Sequence, residues 1–190
     1  MDVNDNSGEG RRDVGFTWVP VGDGGEAAKI LARGVLSDLV NLPEWQIRER
    51  SFFGDISLEI DGVEFHYRHV PVFDFLFSWR YSLDALVLDG TTEMELAERA
   101  GPTRLALSGP DVSLRHLSTG ASASCTYVEL LRAVLRFGRD VLEELTRAHP
   151  DLLVNDAVEQ LYRDLGMRGL GEEQFARHSA AMAKRHQRTG

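Results

Sequence analysis

The sequence predicts an α+β fold, with antiparallel β-meanders packed against two or three amphipathic helices in a single domain. Three observations lead to this prediction. Asp61 and Gly62 form the favoured pair for a two-residue hairpin turn, short alternating segments follow one another over residues 91–125, and residues 126–149 carry an apolar stripe at helical spacing. A chain of 190 residues is long enough to bury one such core.

The beginning of the chain predicts a tail, a strand and a helix. Residues 1–13 are rich in Asp, Asn, Gly and Ser and have no hydrophobic period, so they are predicted to be a disordered tail. Residues 15–19 have the pattern of a short strand, and the glycine-rich turn at 22–25 leads into a predicted helix over about 26–40. Pro43 prevents that helix from continuing.

The Asp61-Gly62 turn fixes the register of a hairpin, because both residues must adopt positive φ angles. The pairing sorts the side chains into two faces. The apolar face pairs Ile60 with Val63, Leu58 with Phe65 and Ile56 with Tyr67, and the polar face pairs Asp55 with Arg68, Ser57 with His66 and Glu59 with Glu64. A slip of one residue would expose every apolar side chain, so the register is strongly specified.

Residues 45–50 alternate as well, with Trp45 and Ile47 against Gln46 and Arg48. This pattern predicts a third strand beside the hairpin.

Residues 71–88 fit two periods. Five aromatic residues recur at every second position, as in a half-buried strand, namely Phe73, Phe75, Phe77, Trp79 and Tyr81. Apolar residues also recur at helical spacing from Val72 to Leu86, and Asp89-Gly90 is a natural helix end. The segment is long for a strand, so a helix is predicted.

The second half of the chain predicts a meander followed by two helices. Turn residues divide 91–125 into four short antiparallel strands. Thr126 and Glu129 have the spacing of a capping box, which starts a long helix. Gly138 lies in the buried stripe of this helix and predicts a close backbone contact, and Asn155 caps a shorter helix.

The net charge and its distribution along the chain limit the classes of molecule that are expected to bind. The net charge is −9, from 21 basic and 30 acidic residues, and basic residues exceed acidic ones only over 167–190. That segment is predicted to be a partly helical or disordered tail after a domain of residues 14–166. A nucleic-acid binder needs a basic surface, so no nucleic-acid partner is expected, whereas a basic protein is attracted to an acidic body. The simpler alternative is that the charge only maintains solubility.

The single cysteine, Cys125, excludes an internal disulfide and a multi-cysteine zinc site. No segment has the apolar length of a membrane span, and the first twenty residues lack the pattern of a signal peptide. A cytoplasmic protein is therefore expected. The sequence has no phosphate-binding or dinucleotide-binding motif, so no cofactor or metal is expected.

Glu59 opposite Glu64 is an unfavourable pair of like charges unless a cation lies between them. Arg48 or Arg50 from a neighbouring strand is the expected cation. The alternatives are a pair of carboxylates acting as acid and base, or a bound cation.

Cysteine and histidine offer two further chemical alternatives. Cys125 precedes a helix and His116 lies one strand earlier, so a Cys–His nucleophile is possible by spacing, although alternation with Ala121 and Ala123 predicts a buried, inert thiol. His66 and His69 would project to opposite faces of a strand and would need a bulge between them to share a metal.

Three motifs carry a family resemblance. They are Val-Pro-Val-Phe-Asp-Phe at 70–75, Ser-Cys-Thr-Tyr at 124–127, and Val-Leu-Glu-Glu-Leu-Thr at 141–146 followed by His-Pro-Asp-Leu-Leu. On these residues, 70–166 resembles an uncharacterised actinobacterial protein family of unknown function. The resemblance implies no catalytic residues.

The sequence predicts a non-catalytic binding protein that neutralises a basic protein partner. In size, acidity and fold class it is similar to the immunity proteins of bacterial toxin systems, an analogy without a shared motif. The predicted binding residues are Glu59, Glu64, Glu93, Glu95, His66, Trp79 and Arg80. The alternative is a small-molecule-binding protein or an enzyme with an aromatic pocket around 73–81, in which Asp74, Arg80 or His66 would be polar anchors.

Overall fold

The computed structural model describes residues 13–21, 37–96 and 101–165. The protein has an α+β fold with two antiparallel sheets, as predicted. The first sheet has the order β1-β2-β3, with strands at Val14–Pro20, Phe53–Ile60 and Val63–Pro71. The second sheet has the order β4-β5-β6-β7 and is the predicted meander, with strands at Thr91–Met94, Thr103–Ser108, Asp111–His116 and Ser122–Thr126.

The described helices precede the hairpin, join the sheets and follow the second sheet. They are α1 (Ser37–Asn41), α2 (Glu44–Arg50), α3 (Val72–Asp89), α4 (Tyr127–Ala148) and α5 (Asp156–Asp164), with a 3₁₀ turn at Pro150–Val154 between α4 and α5. Within the described ranges, no helix has the length and apolar character to span a bilayer.

The hairpin of β2 and β3 closes at Asp61-Gly62 as predicted, with φ angles of 49° and 82°. Its register from Ile56 to Ile60 is also the predicted one. The apolar partners of this register are buried except for Val63, which is partly buried, so one face of the hairpin belongs to the core.

The predicted pairing of Asp55 with Arg68 is wrong, because β3 contains a bulge at this point. Arg68 and His69 both lie opposite Asp55. His69 adopts a positive φ of 51°, and its amide donates a hydrogen bond of 2.8 Å to the Asp55 carboxylate. An extra residue in one strand is what defines a β-bulge, and the carboxylate satisfies the amide that the bulge displaces.

The strand predicted over 45–50 is also wrong, because these residues form helix α2. Pro43 precedes the helix with an extended conformation, and its carbonyl accepts hydrogen bonds from the amides of Gln46 and Ile47. The open edge of β2 is occupied by β1 instead. Ile47 is buried on α2, whereas Trp45 is 52 % exposed.

Helix α3 confirms the helical interpretation of 71–88. It ends at Gly90, which adopts φ 80°. Twelve of its eighteen residues are buried, among them all eight from Val72 to Trp79. A helix surrounded by protein has no polar face, which explains why its sequence fits a strand period and a helix period equally well.

A buried hydrogen bond connects the two sheets, and a close contact connects α4 to the residue after α5. The Tyr67 hydroxyl of β3 lies 3.0 Å from the Thr103 hydroxyl of β5, in a buried hydrogen bond between the two sheets. Helix α4 has the predicted capping box at Thr126 and Glu129. Its Gly138 lies against Leu165, where a Cβ atom would overlap the leucine side chain, so the predicted close contact is confirmed.

Asn155 caps α5 as predicted and also ties it to the region around α1. Its Oδ1 accepts the amides of Ala157 and Val158. Its Nδ2 donates to three backbone carbonyls, those of Leu39, Val40 and Leu42. One buried side chain therefore satisfies groups from two distant segments.

Several predictions fall on residues outside the described ranges. They are the disordered tail apart from Asp13, the turn at 22–25, most of the helix at 26–40 and the basic tail at 167–190.

Candidate functional site on the outer face of the first sheet

The outer face of the first sheet brings three of the predicted binding residues together. Strand alternation points one set of side chains into the core and the other outward. Across the sheet, the outward residues form two adjacent rows, the first containing Gly15, Glu59 and Glu64 and the second Thr17, Ser57 and His66.

Glu59 and Glu64 lie directly opposite each other, and both are exposed. Arg48, one of the cations expected beside them, instead donates from Nε to Asp74 at 2.8 Å. Within the described part of the chain, no arginine or lysine forms an ion pair with either glutamate. The like-charge pair is therefore not compensated by a fixed cation there.

The carboxylates extend beyond this pair. We define the acidic face as Asp13, Asp55, Glu59, Asp61 and Glu64, all of them exposed. At one end of the face, the Asp61 carboxylate accepts the amide of Asp13 at 3.0 Å, which fixes the start of β1 against the hairpin turn. Arg68, in the bulge of β3, is the exposed arginine of this sheet.

Ser57, His66 and Glu64 form a chain of polar contacts beside the like-charge pair. The Ser57 hydroxyl lies 2.9 Å from His66 Nδ1. His66 Nε2 lies 2.9 Å from a Glu64 carboxylate oxygen. The imidazole thus connects a hydroxyl to a carboxylate through its two nitrogens.

A slot of about 230 Å³ opens next to this chain. Gly15 contributes no side chain to its row, and a Cβ atom placed there would have no neighbour within 4 Å. We call this cavity the Gly15 slot. Its walls come from the residue before β1 and from the three strands of the sheet. The residues that line it around Gly15 are Asp13, Phe16, Thr17, Ser57, Glu59 and Glu64. Three carboxylates and two hydroxyls on the walls are groups that accept hydrogen bonds from a cation.

Glu93 and Glu95 lie elsewhere, on and just after β4 of the second sheet. Glu93 faces Arg104 across the strands, with a carboxylate oxygen 2.9 Å from Nη2. Arg104 in turn faces Arg115 on β6. The structure therefore divides the four predicted glutamates between two sheets, and one of the second pair already has a cationic partner.

Trp79 and Arg80 belong to the core and its margin. Trp79 is completely buried and packs against Phe16 and Phe75. Arg80 forms an ion pair with Asp84 one turn later on α3. A contact between Trp79 and a ligand would require the core to open, so the outer face and not α3 holds the accessible predicted residues.

The structure does not bring Cys125 and His116 together. Both are buried on the inner face of the second sheet. Cys125 pairs with Val112, and His116 lies four residues further along the same strand, roughly 13 Å away at the usual rise of a strand. The predicted burial of the thiol is confirmed.

A second, larger cleft of about 450 Å³ lies between α2, α3 and α5. Phe77 and Tyr81 line it with stacked rings whose centroids are 6.2 Å apart. The Arg48 guanidinium lies 5.4 Å from the centre of the Phe77 ring. Of residues 73–81, therefore, Phe77 and Tyr81 are the ones that border this cleft, and most of the aromatic cluster is core.

The pKa shifts lie away from the acidic face. Burial raises the pKa of Tyr67 to about 12, partly offset by its hydrogen bond to Thr103, and burial also raises the pKa of Tyr127. Burial lowers the pKa of His149, which packs against Phe52 at the start of β2. Both tyrosines therefore stay protonated at neutral pH.

No protein-family model, curated protein or solved structure matches the chain. The resemblance of residues 70–166 to an actinobacterial family therefore rests on its three motifs alone. Among the described residues, no group of three histidine, cysteine, aspartate or glutamate side chains has the arrangement of a metal site.

Sequence reasoning missed the Gly15 slot and the role of Ser57. The hairpin register already placed Ser57 opposite His66, and Glu64 lies two residues before His66 on the same face. The pairing of Gly15 with Glu59 had no such signal, because it depends on β1 joining the sheet from forty residues away.

Proposed function

We propose that this protein is a binding module whose acidic face captures a basic protein partner, as immunity proteins capture toxins. The observation that carries the proposal is the exposed Glu59–Glu64 pair, opposite each other and without a fixed cation in the described structure. Such a pair is destabilising in the isolated protein. A lysine or arginine side chain of a partner would relieve the repulsion.

The Gly15 slot supports this proposal because it offers space for such a side chain. It lies between Asp13 and the two glutamates, and its volume of about 230 Å³ exceeds that of a guanidinium or ammonium group with its stem. Surrounding carboxylates also accelerate encounter with a basic protein through long-range attraction.

The test compares two variants that lose the same charge from different sheets. Glu59→Gln with Glu64→Gln removes the pair from the acidic face, and Glu93→Gln with Glu95→Gln is the matched control. Association with an arginine-rich peptide, and with the basic protein recovered from the native host, is measured across a salt series. We expect the first variant to lower the association rate about tenfold and the control to change it less than twofold.

Equal effects of the two variants would mean that only net charge matters and would contradict the proposal. Binding without salt dependence would contradict it as well, because steering between exposed charges is screened over about 8–10 Å near physiological salt.

A second candidate function, small-molecule binding, is favoured by the cleft between α2, α3 and α5. Its volume of about 450 Å³ is in the range of ligand pockets, and the Tyr81 ring is 53 % exposed. The fluorescence of a planar naphthalene dye tests it. Binding that is lost in Tyr81→Ser and retained in Trp45→Ser, which removes another exposed aromatic ring, supports this cleft as a ligand site.

A further inference from the structure

We infer that Ser57 is a nucleophile activated by His66 and Glu64, and that it accepts acyl groups from esters that carry a positive charge. This activity goes beyond the proposed capture of a protein and does not require it. It is argued from the Ser57–His66 hydrogen bond, from the His66–Glu64 contact and from the slot beside them.

The carboxylate of Glu64 decides which nitrogen of His66 carries the proton. An ionised carboxylate oxygen repels a nitrogen lone pair, so the nitrogen 2.9 Å from it, Nε2, is the one that carries the proton. In the neutral imidazole the other nitrogen, Nδ1, then has a free lone pair. The Ser57 hydroxyl, 2.9 Å from Nδ1, must therefore donate its proton to it.

This is the arrangement that an activated serine requires. A base within hydrogen-bond distance takes the hydroxyl proton, and a third group holds the base in the correct tautomer. The carboxylate also stabilises the imidazolium that forms when the proton moves. Relative to the usual serine triad, the two imidazole nitrogens exchange roles, because here Nδ1 contacts the serine and Nε2 contacts the carboxylate. The chemistry is the same, since one nitrogen still accepts the serine proton and the other still carries a proton beside the carboxylate.

The step balances with water as the only other reactant. Ser57 Oγ attacks the acyl carbon while its proton moves to His66 Nδ1, and the imidazolium then gives that proton to the departing alkoxide, which leaves as an alcohol. Water, deprotonated by the same nitrogen, attacks the acyl-serine. The acyl–Oγ bond breaks, the imidazolium returns its proton to Ser57 Oγ, and the acid is released. The net reaction is ester hydrolysis, without any oxidant or cofactor.

The surroundings of Ser57 select the class of substrate. Ser57 lines the Gly15 slot together with Asp13, Glu59 and Glu64, so an ester with an ammonium or guanidinium group is attracted and an anionic ester is repelled. Thr17 lies directly opposite Ser57 on β1 and presents a hydroxyl on the same face. That hydroxyl is the donor closest in register to the oxygen on which negative charge develops.

The experiment uses 4-nitrophenyl 4-guanidinobenzoate as the cationic ester and 4-nitrophenyl benzoate as its neutral counterpart. Release of nitrophenolate is followed by absorbance, and the acylated residue is identified by intact mass and peptide mapping. We expect a burst of about one equivalent, faster with the cationic ester, and an adduct on Ser57.

Four variants make the result specific. Ser57→Ala should abolish the burst, and His66→Gln and Glu64→Gln should slow acylation about 10²-fold, the usual contribution of a general base. The matched control is Ser113→Ala, since Ser113 is another strand serine, one whose hydroxyl donates to the Ala106 carbonyl. It should change nothing.

A burst that persists in Ser57→Ala, an adduct on another residue, or native acylation no faster than that of His66→Gln would overturn the inference. Ser57→Ala keeps every carboxylate of the acidic face. Binding of the arginine-rich peptide to this variant therefore shows whether the proposed capture of a partner stands when the acylation fails.

Discussion

The outer faces of the two sheets differ in how their carboxylates are paired. On the second sheet, the Glu93 carboxylate has a cationic partner in Arg104, and Arg104 in turn faces Arg115 across a pair of like charges. On the first sheet, Glu59 faces Glu64 and the slot at Gly15 lies at the end of their row. The carboxylates of the first face are the less favourably paired, so they have more to gain from a cationic partner. Local rules are broken most often at functional surfaces, and for this reason the proposed function places its partner on this face.

The largest expected effect concerns two glycines, Gly15 within β1 and Gly54 of β2, which pairs with β1. A Cβ atom on Gly54 would overlap the indole of Trp18, whereas one on Gly15 would meet nothing within 4 Å. We expect Gly54→Val to lower the free energy of unfolding by about 2–4 kcal/mol and Gly15→Val to change it by less than about 0.5 kcal/mol. Urea unfolding measures both. Similar losses in the two variants would show that β1 is not packed as described.

The next prediction tests the connection between the sheets. Tyr67→Phe removes the buried hydrogen bond to Thr103 and leaves that hydroxyl without this partner. We expect a loss of about 1–2 kcal/mol in the free energy of unfolding, and a smaller loss when Thr103→Val is added, because both polar groups are then gone. Additive losses in a double-mutant cycle would mean that the two hydroxyls do not interact.

A smaller effect depends on pH and arises where α4 ends beside the first sheet. Because burial lowers the pKa of His149 below its usual value of 6.5, the unfolded chain binds a proton at higher pH than the folded protein does. The free energy of unfolding therefore falls as the pH decreases through about 6.5 towards the lowered pKa. In His149→Phe this decrease should be smaller by a few tenths of a kcal/mol, since the ring is only partly buried. Unfolding curves at pH 7.5 and pH 5.5 that shift equally in both proteins would contradict the assignment.

The smallest expected effect is a change in the free energy of unfolding that has opposite signs on the two sheets. Glu59→Gln should raise the free energy of unfolding by a few tenths of a kcal/mol, because it relieves repulsion from Glu64. Glu93→Gln should lower it by a similar amount, because it removes the ion pair with Arg104. Thermal unfolding at low salt distinguishes the two, and both differences should shrink in 1 M salt. The same sign for both substitutions would remove the contrast between the faces.

Local signals in the sequence predicted most of the fold. The Asp61-Gly62 turn, the capping box of Thr126 and Glu129 and the cap at Asn155 each depend on a few neighbouring residues, and each is present. The strand predicted at 45–50 failed because alternation over six residues fits a short helix equally well. What occupies the open edge of β2 is decided by a partner distant in sequence, and no local pattern encodes it.

The residues of the candidate site also divide into those that local signals predict and those that depend on pairing between distant segments. Glu59, Glu64 and His66 were brought together by the hairpin register, which a two-residue turn fixes. The Gly15 slot required the β1–β2 pairing and was not predictable. Glu93 and Glu95 were grouped with the hairpin glutamates by charge alone, and composition says nothing about which sheet a residue joins.

The position of Asn155 has a consequence for the order in which parts of the protein fold during synthesis. Its side chain bonds to the carbonyls of Leu39 and Leu42, which precede it by 116 and 113 residues. During synthesis these carbonyls leave the ribosome long before the amide that satisfies them, and they are exposed to water until residue 155 emerges. This part of the fold is therefore completed only after residue 155 has emerged, because contacts between residues distant in sequence require the later segment to be present.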